Sequence, residues 1–169
     1  AELYIAHSPV GAIDLLATVN PSVQIKRVFS RKQLDQAFHI RLRVFVREQG
    51  VPVEIEMDRD DKRALHFLAL KAGKAVGTAR IVIHDRSAKI GRMAVLKTYR
   101  GKGVGTKLLK RAIGAAKSHG AQKIYLHAQV PVIDFYEGLA FRCVGPVFTE
   151  GGIPQRKMVG ERWRPRRER

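Results

Sequence analysis

Residues 92–106 read Arg-Met-Ala-Val-Leu-Lys-Thr-Tyr-Arg-Gly-Lys-Gly-Val-Gly-Thr, the pattern of a strand end, a basic glycine turn and the start of a helix. Apolar residues continue at helical spacing, which predicts a helix from about Val104 to Ser118. A glycine turn that opens a helix leaves backbone N–H groups without partners, at the positive end of the helix dipole. With Arg100 and Lys102 beside them, these donors predict a phosphate or pyrophosphate site. The alternative is a plain strand–turn–helix connection with solvated basic residues.

The spacing of the glycines excludes two common phosphate-binding motifs. A P-loop requires Gly-Lys-Ser/Thr, whereas Gly105-Thr106-Lys107 has a different order. A dinucleotide-binding turn requires G-x-G-x-x-G, whereas Gly101, Gly103 and Gly105 are spaced G-x-G-x-G. The order Arg100-x-x-Gly103-x-Gly105 does fit a third motif. It resembles the R/Q-x-x-G-x-G/A pyrophosphate-binding motif of the GNAT superfamily of N-acetyltransferases, whose ligand is acetyl-coenzyme A.

Length and composition indicate one soluble domain. A chain of 169 residues is long enough for a single domain with a hydrophobic core. No apolar run approaches the ~18 residues that would span a membrane, and the first 24 residues carry no Lys or Arg of a signal sequence. The lone Cys143 suits a reducing compartment. We therefore expect a cytoplasmic protein without a membrane partner, or one of an organelle matrix if the start at Ala1 reflects processing.

The chain is strongly basic. Its 32 Lys and Arg residues against 15 Asp and Glu residues give a net charge of +17, which favours polyanionic partners such as coenzyme A or RNA. Seven basic residues lie in positions 155–169, around Trp163. This end of the chain is predicted either to contact nucleic acid or to form a solvated tail.

The order of predicted elements is β-α-β-β-β-α-β-α-β-β, an α/β arrangement with a mixed sheet. Ser30 to Gln33 form a capping box at the start of the first helix. We expect an N-terminal appendage at residues 1–22, the main domain at 23–161 and a basic tail at 162–169. Three arginines of the first helix are expected on its solvent-facing side: Arg41, Arg43 and Arg47.

Carboxylates are concentrated in one segment, residues 51–61, which holds five of the 15 acidic residues. One interpretation is an acidic lip that attracts a cationic amine and supplies a base. The other is a solvated loop whose carboxylates pair with neighbouring basic residues, namely Arg59, Lys62 and Arg63.

Two further stretches are similar to GNAT proteins. Val44-Phe45-Val46-Arg47-Glu48-Gln49-Gly50-Val51-Pro52 resembles the V-F-V-x-E-Q-x-V-P segment of a small bacterial subgroup, and Phe135-Tyr136-Glu137-x-Leu139-x-Phe141 resembles the F-Y-E-x-L-G-F segment of the family. Gly151-Gly152-Ile153-Pro154 stands where the subgroup has G-I-P-H. The resemblance implies the GNAT acyl-CoA N-acyltransferase fold, a central mixed, mostly antiparallel sheet flanked by helices.

Three features depart from the family pattern. Gln155 replaces the usual histidine of the subgroup, and Gly138 and Ala140 shift the small residue near Leu139. The strand at residues 89–93 also lacks the glutamate that serves many members as a base.

The resemblance implies an acetyl-CoA-dependent N-acetyltransferase. Acetyl transfer to a primary amine would occur by direct attack in a ternary complex, with acetyl-CoA as cosubstrate. The pantetheine arm would lie along the strand at Met93, Ala94 and Val95. The pyrophosphate would lie on the glycine turn, formed by Arg100, Gly101, Lys102, Gly103, Val104, Gly105 and Thr106.

The resemblance assigns the leaving-group acid, whereas the base stays open. Tyr136 matches a tyrosine that protonates the departing thiolate. A lysine-like amine must lose a proton before attack, and Glu48 is the preferred base. Other candidates are Glu54, Glu56, Asp58, His127 and a base acting through water. No metal site is predicted.

A second function belongs to a different class. The high charge, the missing strand carboxylate and Gln155 favour a GNAT-fold subunit with weak or no catalysis that binds RNA or a ribonucleoprotein. The intact glycine turn and Tyr136 favour the enzyme. Either protein would be a monomer or a homodimer.

Overall fold

Seven strands form one mixed sheet in the order β1-β2-β3-β4-β5-β7-β6. The computed structural model describes residues 21–160, so the predictions for residues 1–20 and for the tail around Trp163 lie outside the described part. The strands are β1 Gln24–Arg27, β2 Leu65–Lys71, β3 Lys74–His84, β4 Ser87–Val95, β5 Lys123–Gln129, β6 Phe141–Glu150 and β7 Ile153–Gly160. The α-helices are α1 Arg31–Arg41, α2 Val53–Glu56, α3 Val104–Ser118 and α4 Ile133–Glu137. No helix within residues 21–160 is long and apolar enough to cross a membrane.

All neighbouring strands pair antiparallel except β4 and β5, which run parallel because helix α3 connects them. The parallel pairing is short and extends from Ser87 with Lys123 to Ile90 with Leu126. The predicted fold, a mixed and mostly antiparallel sheet flanked by helices, is confirmed.

Helix α3 packs closely on strand β3 and forms the main core. Its apolar side, including Leu108 and Ala112, is fully buried. Gly77 in β3 permits this approach, because a Cβ atom there would lie 3.1 Å from Leu108 Cδ1 and 3.2 Å from the carbonyl oxygen of Ala94. The packing fixes the start of α3 relative to β4, where the predicted ligand site lies.

Helix α1 begins at the predicted capping box, with Ser30 Oγ accepting from the Gln33 N–H. It continues as a π-helix, Leu42–Glu48, before the chain turns at Gly50, whose φ is +73°. The prediction that Arg41 faces solvent is wrong, since its side chain is fully buried. Buried acidic partners, described below, hold it inside.

Candidate active site

A cleft of about 720 Å³ opens where strand β4 leaves strand β5. Two features cause the separation. The parallel pairing is not continued beyond Ile90, and a bulge follows at Arg92, whose φ is +50°. At the bulge the register with β3 shifts, so that Gly91 pairs with Arg80 and Ala94 with Thr78. The next residues of β4 thus lie along the cleft without a partner strand on that side.

Nine of the ten residues predicted to bind the coenzyme line this cleft, and Lys102 does not. The Lys102 ammonium instead donates to the carbonyl oxygen of Thr98 at 2.9 Å. Gly101 and Gly103 have φ values of +70° and +79°, in the left-handed region where glycine is favoured. Gly103 caps helix α3 without a side-chain hydrogen bond, so the first N–H groups of α3 face the cleft end without a side-chain cap.

Arg100 links the glycine turn to two other elements. Its Nε donates to the carbonyl oxygen of Val95 at 2.8 Å, and its Nη2 donates to Glu48 Oε2, also at 2.8 Å. Glu48 itself is not among the described residues that line the cleft. The structure therefore places the preferred base of the sequence analysis in an ion pair with the predicted pyrophosphate-binding arginine.

Tyr136 is buried in the wall of the cleft, on helix α4. Its ring packs edge-to-face against Phe135 and Phe141, and its hydroxyl lies 3.7 Å from Met93 Sδ. Burial raises the pKa of Tyr136 to about 12. At neutral pH the hydroxyl is protonated and can donate a proton beside strand β4.

The acidic segment forms a largely buried ionic cluster made of Arg41, Arg80, Arg92, Glu56, Asp58 and Asp61. Arg41 Nε donates to Glu56 Oε1 at 2.6 Å and Arg41 Nη1 to Asp61 Oδ1 at 2.7 Å. Arg80 Nη1 donates to Asp61 Oδ1 at 2.8 Å. Three carboxylates of the segment, Glu56, Asp58 and Asp61, are held by arginines from α1, β3 and β4. Asp60 forms an exposed pair with Arg63, and Glu54 is exposed. The interpretation as a solvated loop paired with its basic neighbours is therefore wrong for the first three, and the acidic lip stays a prediction.

The pKa values in the ionic cluster move in two directions. Burial raises the pKa of Glu56 despite nearby Arg92 and Arg41. Burial alone would also raise the pKa of Asp61. Hydrogen bonds and charge from Arg41 and Arg80 outweigh this effect and hold the pKa below its ordinary value. Sequence reasoning missed Arg80, although an arginine amid the apolar residues of β3 is a signal of a buried ion pair.

Four polar residues of the cleft lining come from four separate strands: Lys89 of β4, His127 of β5, Glu150 of β6 and Gln155 of β7. His127 Nδ1 lies 3.2 Å from Glu150 Oε2. Gln155 lines the cleft and donates through Nε2 to the Glu150 carbonyl oxygen at 3.3 Å. Of the other candidate bases, Glu56 and Asp58 line the cleft within the ionic cluster, and Glu54 is exposed outside it.

Two contacts join the π-helix side of the cleft to the strands opposite. The amides of Gln49 and Gln129 donate to each other, at 3.1 and 2.8 Å. Gly151, in the β6–β7 turn, approaches Val51 so closely that a Cβ atom would lie 3.2 Å from Val51 Cγ1. These contacts connect the segment that follows the π-helix to strand β5 and to the β6–β7 turn across the cleft.

Comparison with known proteins identifies the class. The acetyltransferase (GNAT) family model matches residues 32–141. YjcF of Bacillus subtilis, described as an uncharacterized N-acetyltransferase, is 35% identical over 131 residues, covering 77% of this chain and 94% of YjcF. The protein ElaA of Escherichia coli is 34% identical over 138 residues, covering 78% of this chain and 90% of ElaA.

Solved structures agree with this class. The crystal structure of Escherichia coli ElaA aligns with a TM-score of 0.75 at 30% identity, covering 83% of this chain and 100% of that chain. An acyl-CoA N-acyltransferase from Pseudomonas aeruginosa aligns with a TM-score of 0.74 at 28% identity, covering 82% of this chain and 99% of that chain.

The chain belongs to the GNAT acetyltransferase family, which confirms the resemblance found in its sequence. It is an acetyltransferase, and the acetyl donor of this family is acetyl-CoA.

Proposed function

We propose that the protein transfers the acetyl group of acetyl-CoA to a primary amine by direct attack in a ternary complex. One observation carries the proposal. The cleft brings together the glycine turn, the unpaired edge of β4 and the protonated hydroxyl of Tyr136. These are the parts that hold a thioester, bind its pyrophosphate and protonate its leaving group.

The coenzyme would occupy the β4 side of the cleft. Its pyrophosphate would accept hydrogen bonds from the N–H groups at the start of α3, with Arg100 adding positive charge. Its pantetheine arm would pair with the backbone of residues 93–95, which lie beyond the last β4–β5 pair, Ile90 with Leu126. An N–H of this segment would stabilise the oxyanion of the tetrahedral intermediate, and loss of such a donor typically costs ~10²–10³ in rate.

Tyr136 would act as the acid. The acceptor nitrogen attacks the thioester carbon, and the collapse of the intermediate breaks the C–S bond. The sulfur then receives the proton of the Tyr136 hydroxyl. The position of this hydroxyl, 3.7 Å from Met93 Sδ, supports the assignment because it places the donor beside the proposed pantetheine path.

The test is the release of coenzyme A from acetyl-CoA, followed with a thiol reagent, in the presence of single primary amines such as ethanolamine, putrescine and lysine methyl ester. Amine-dependent release together with acetylated product in mass spectrometry would support the proposal. Absence of release above the rate in buffer would contradict it.

The net charge of +17 favours a second candidate, a weakly active or inactive subunit that binds RNA. Native-gel titration with a single-stranded RNA oligonucleotide tests this function separately. RNA binding with no acetyl-CoA turnover would favour the second candidate, whereas turnover without RNA binding would exclude it.

A further inference from the structure

We propose that His127 is the general base that takes a proton from the acceptor amine, and that Glu150 is the positioning residue that orients its imidazole. This inference rests on the proposed function, because it names the base of the same reaction. It replaces the preference for Glu48 that the sequence alone suggested.

The His127 ring is held in one orientation at the cleft. Strand β5 buries alternate residues, Ile124, Leu126 and Ala128, so the intervening His127 projects to the other face of the sheet. There its ring packs edge-to-face against Phe148, with centroids 4.9 Å apart, and lies tilted against Tyr125 at 6.2 Å. The Glu150 carboxylate, 3.2 Å from Nδ1, restricts the ring further.

The carboxylate also selects the tautomer. An ionised carboxylate only accepts hydrogen bonds, so the Glu150 contact assigns the proton of neutral His127 to Nδ1. The lone pair then lies on Nε2, for which no hydrogen bond to another described residue is found. Nε2 is therefore the ring nitrogen available to accept a proton.

Burial and two neighbouring ammonium groups favour the neutral form of the ring. Burial lowers the pKa of His127 most, and the ammonium groups of Lys89 on β4 and Lys157 on β7 lower it further. Glu150 on β6 acts in the opposite direction without reversing the shift. Tyr125, the titratable neighbour on its own strand, contacts the ring as well. At neutral pH the imidazole is ready to accept a proton.

The other carboxylates are less suited to the task. Among the described residues that line the cleft, the acidic side chains are Glu56, Asp58 and Glu150. Glu56 and Asp58 are held in ion pairs by arginines, which occupy both oxygens of each carboxylate. Glu48 lies outside the lining and is paired with Arg100.

The proton balance is complete. An N–H proton of the acceptor ammonium passes to Nε2 of His127, and the freed electron pair of the nitrogen attacks the thioester carbon. Glu150 stabilises the imidazolium that forms. The nitrogen of the tetrahedral intermediate is then positively charged, and its second N–H proton passes to solvent. The C–S bond breaks, and the sulfur takes its proton from Tyr136. After the products leave, His127 gives its proton to solvent and Tyr136 takes one from solvent, so that one proton is released for each ammonium group acetylated.

The experiment compares His127→Gln with wild-type protein in the thiol-release assay, using water alone and the three amines named above as acceptors. Loss of a general base is expected to lower kcat by about 10²-fold or more, with the Kd for acetyl-CoA unchanged. His84→Gln is the matched control, because His84 is exposed at the end of β3 and is not part of the cleft lining among the described residues. It should retain the wild-type rate.

The pH dependence distinguishes a base from a merely structural residue. Wild-type kcat should rise with pH through the pKa of His127, since the base must be unprotonated. Glu150→Gln removes a negative charge and should move this rise to lower pH, whereas Lys89→Met removes a positive charge and should move it to higher pH. His127→Gln should abolish the rise.

Two outcomes would overturn the assignment, and they differ from failure of the proposed function. A His127→Gln protein that keeps the wild-type rate would overturn it. Shifts of the same sign in Glu150→Gln and Lys89→Met would also overturn it, even if both variants are slower. If wild-type protein releases no coenzyme A with any acceptor, the proposed function itself fails and the base assignment fails with it.

Discussion

At the scale of single residues, Tyr136 should affect chemistry without affecting binding. Among residues 21–160 its hydroxyl has one hydrogen-bond partner, Met93 Sδ at 3.7 Å, so Tyr136→Phe removes little structure. We expect kcat to fall by about 10²-fold, the lower range for loss of a general acid. The Kd for acetyl-CoA should stay within a few-fold of wild type in calorimetry. An unchanged kcat would exclude Tyr136 as the acid.

The Glu48→Gln variant distinguishes between two roles for Glu48, that of general base and that of ion-pair partner of Arg100. If Glu48 were the base, the variant would lose kcat. The observed 2.8 Å contact with Arg100 instead leads us to expect a change in the KM for acetyl-CoA of a few-fold with kcat nearly retained, since the substitution removes only the ion pair that holds the arginine. Steady-state kinetics at saturating amine measures both quantities. A large loss of kcat with an unchanged KM would restore Glu48 as the base.

At the scale of elements, the ionic cluster fixes the segment after the π-helix onto the sheet. Arg41→Met would leave Glu56 and Asp61 without a partner from α1, and removal of one member of a buried pair typically costs ~3–5 kcal/mol. The free energy of unfolding, measured in urea, should fall by about this amount. Arg43→Met, two positions along and exposed, should change it by less than ~0.5 kcal/mol. Equal effects of the two substitutions would contradict the importance of the ionic cluster.

The same ionic cluster should make stability depend on pH. The pKa of Asp61 in the folded protein lies below its ordinary value of 3.8, so its contribution is complete above that value and is lost as the pH falls through the folded pKa. Glu56 has the opposite effect on the pH dependence of the free energy of unfolding, because burial raises its pKa.

Asp61→Asn should therefore flatten the acid side of the stability curve below about pH 4. Urea titrations at several pH values measure the slope for each protein. Parallel slopes in the wild-type protein and the variant would contradict the assigned direction of the Asp61 shift.

At the scale of the whole molecule, the sequence predicts what is local along the chain. Helix α3 was predicted at its observed bounds because its apolar period is strong and glycines flank both ends. The residues proposed to bind the coenzyme could be predicted together because residues 93–106 are contiguous in the chain, and nine of the ten line the cleft. Lys102 lies outside the cleft lining because its ammonium donates to the carbonyl oxygen of Thr98, a contact that depends on the local turn geometry.

The proposed acceptor half was only partly accessible from the sequence, because its polar residues come from four strands. His127 was one of several candidate bases, but nothing in the sequence paired it with Glu150. The proximity of His127 to Glu150 follows from the registers of β5, β7 and β6, which no local pattern specifies. Burial of Arg41 likewise depends on partners 15 and 20 positions away. The sequence analysis assigned Arg41 to the solvent-facing side of the helix because a charged residue is expected to be solvated unless a buried partner is known.

Every catalytic role proposed above depends on acetyl-CoA binding in the cleft between β4 and β5. The deciding measurement is isothermal calorimetry of acetyl-CoA into the wild-type protein and into an Arg100→Glu/Gly103→Glu variant. We expect micromolar binding to the wild type and none to the variant, which places two carboxylates in the proposed pyrophosphate path, with circular dichroism showing both proteins folded. Equal binding by the two folded proteins would contradict the placement of the coenzyme, and no binding by the folded wild type would contradict the account as a whole.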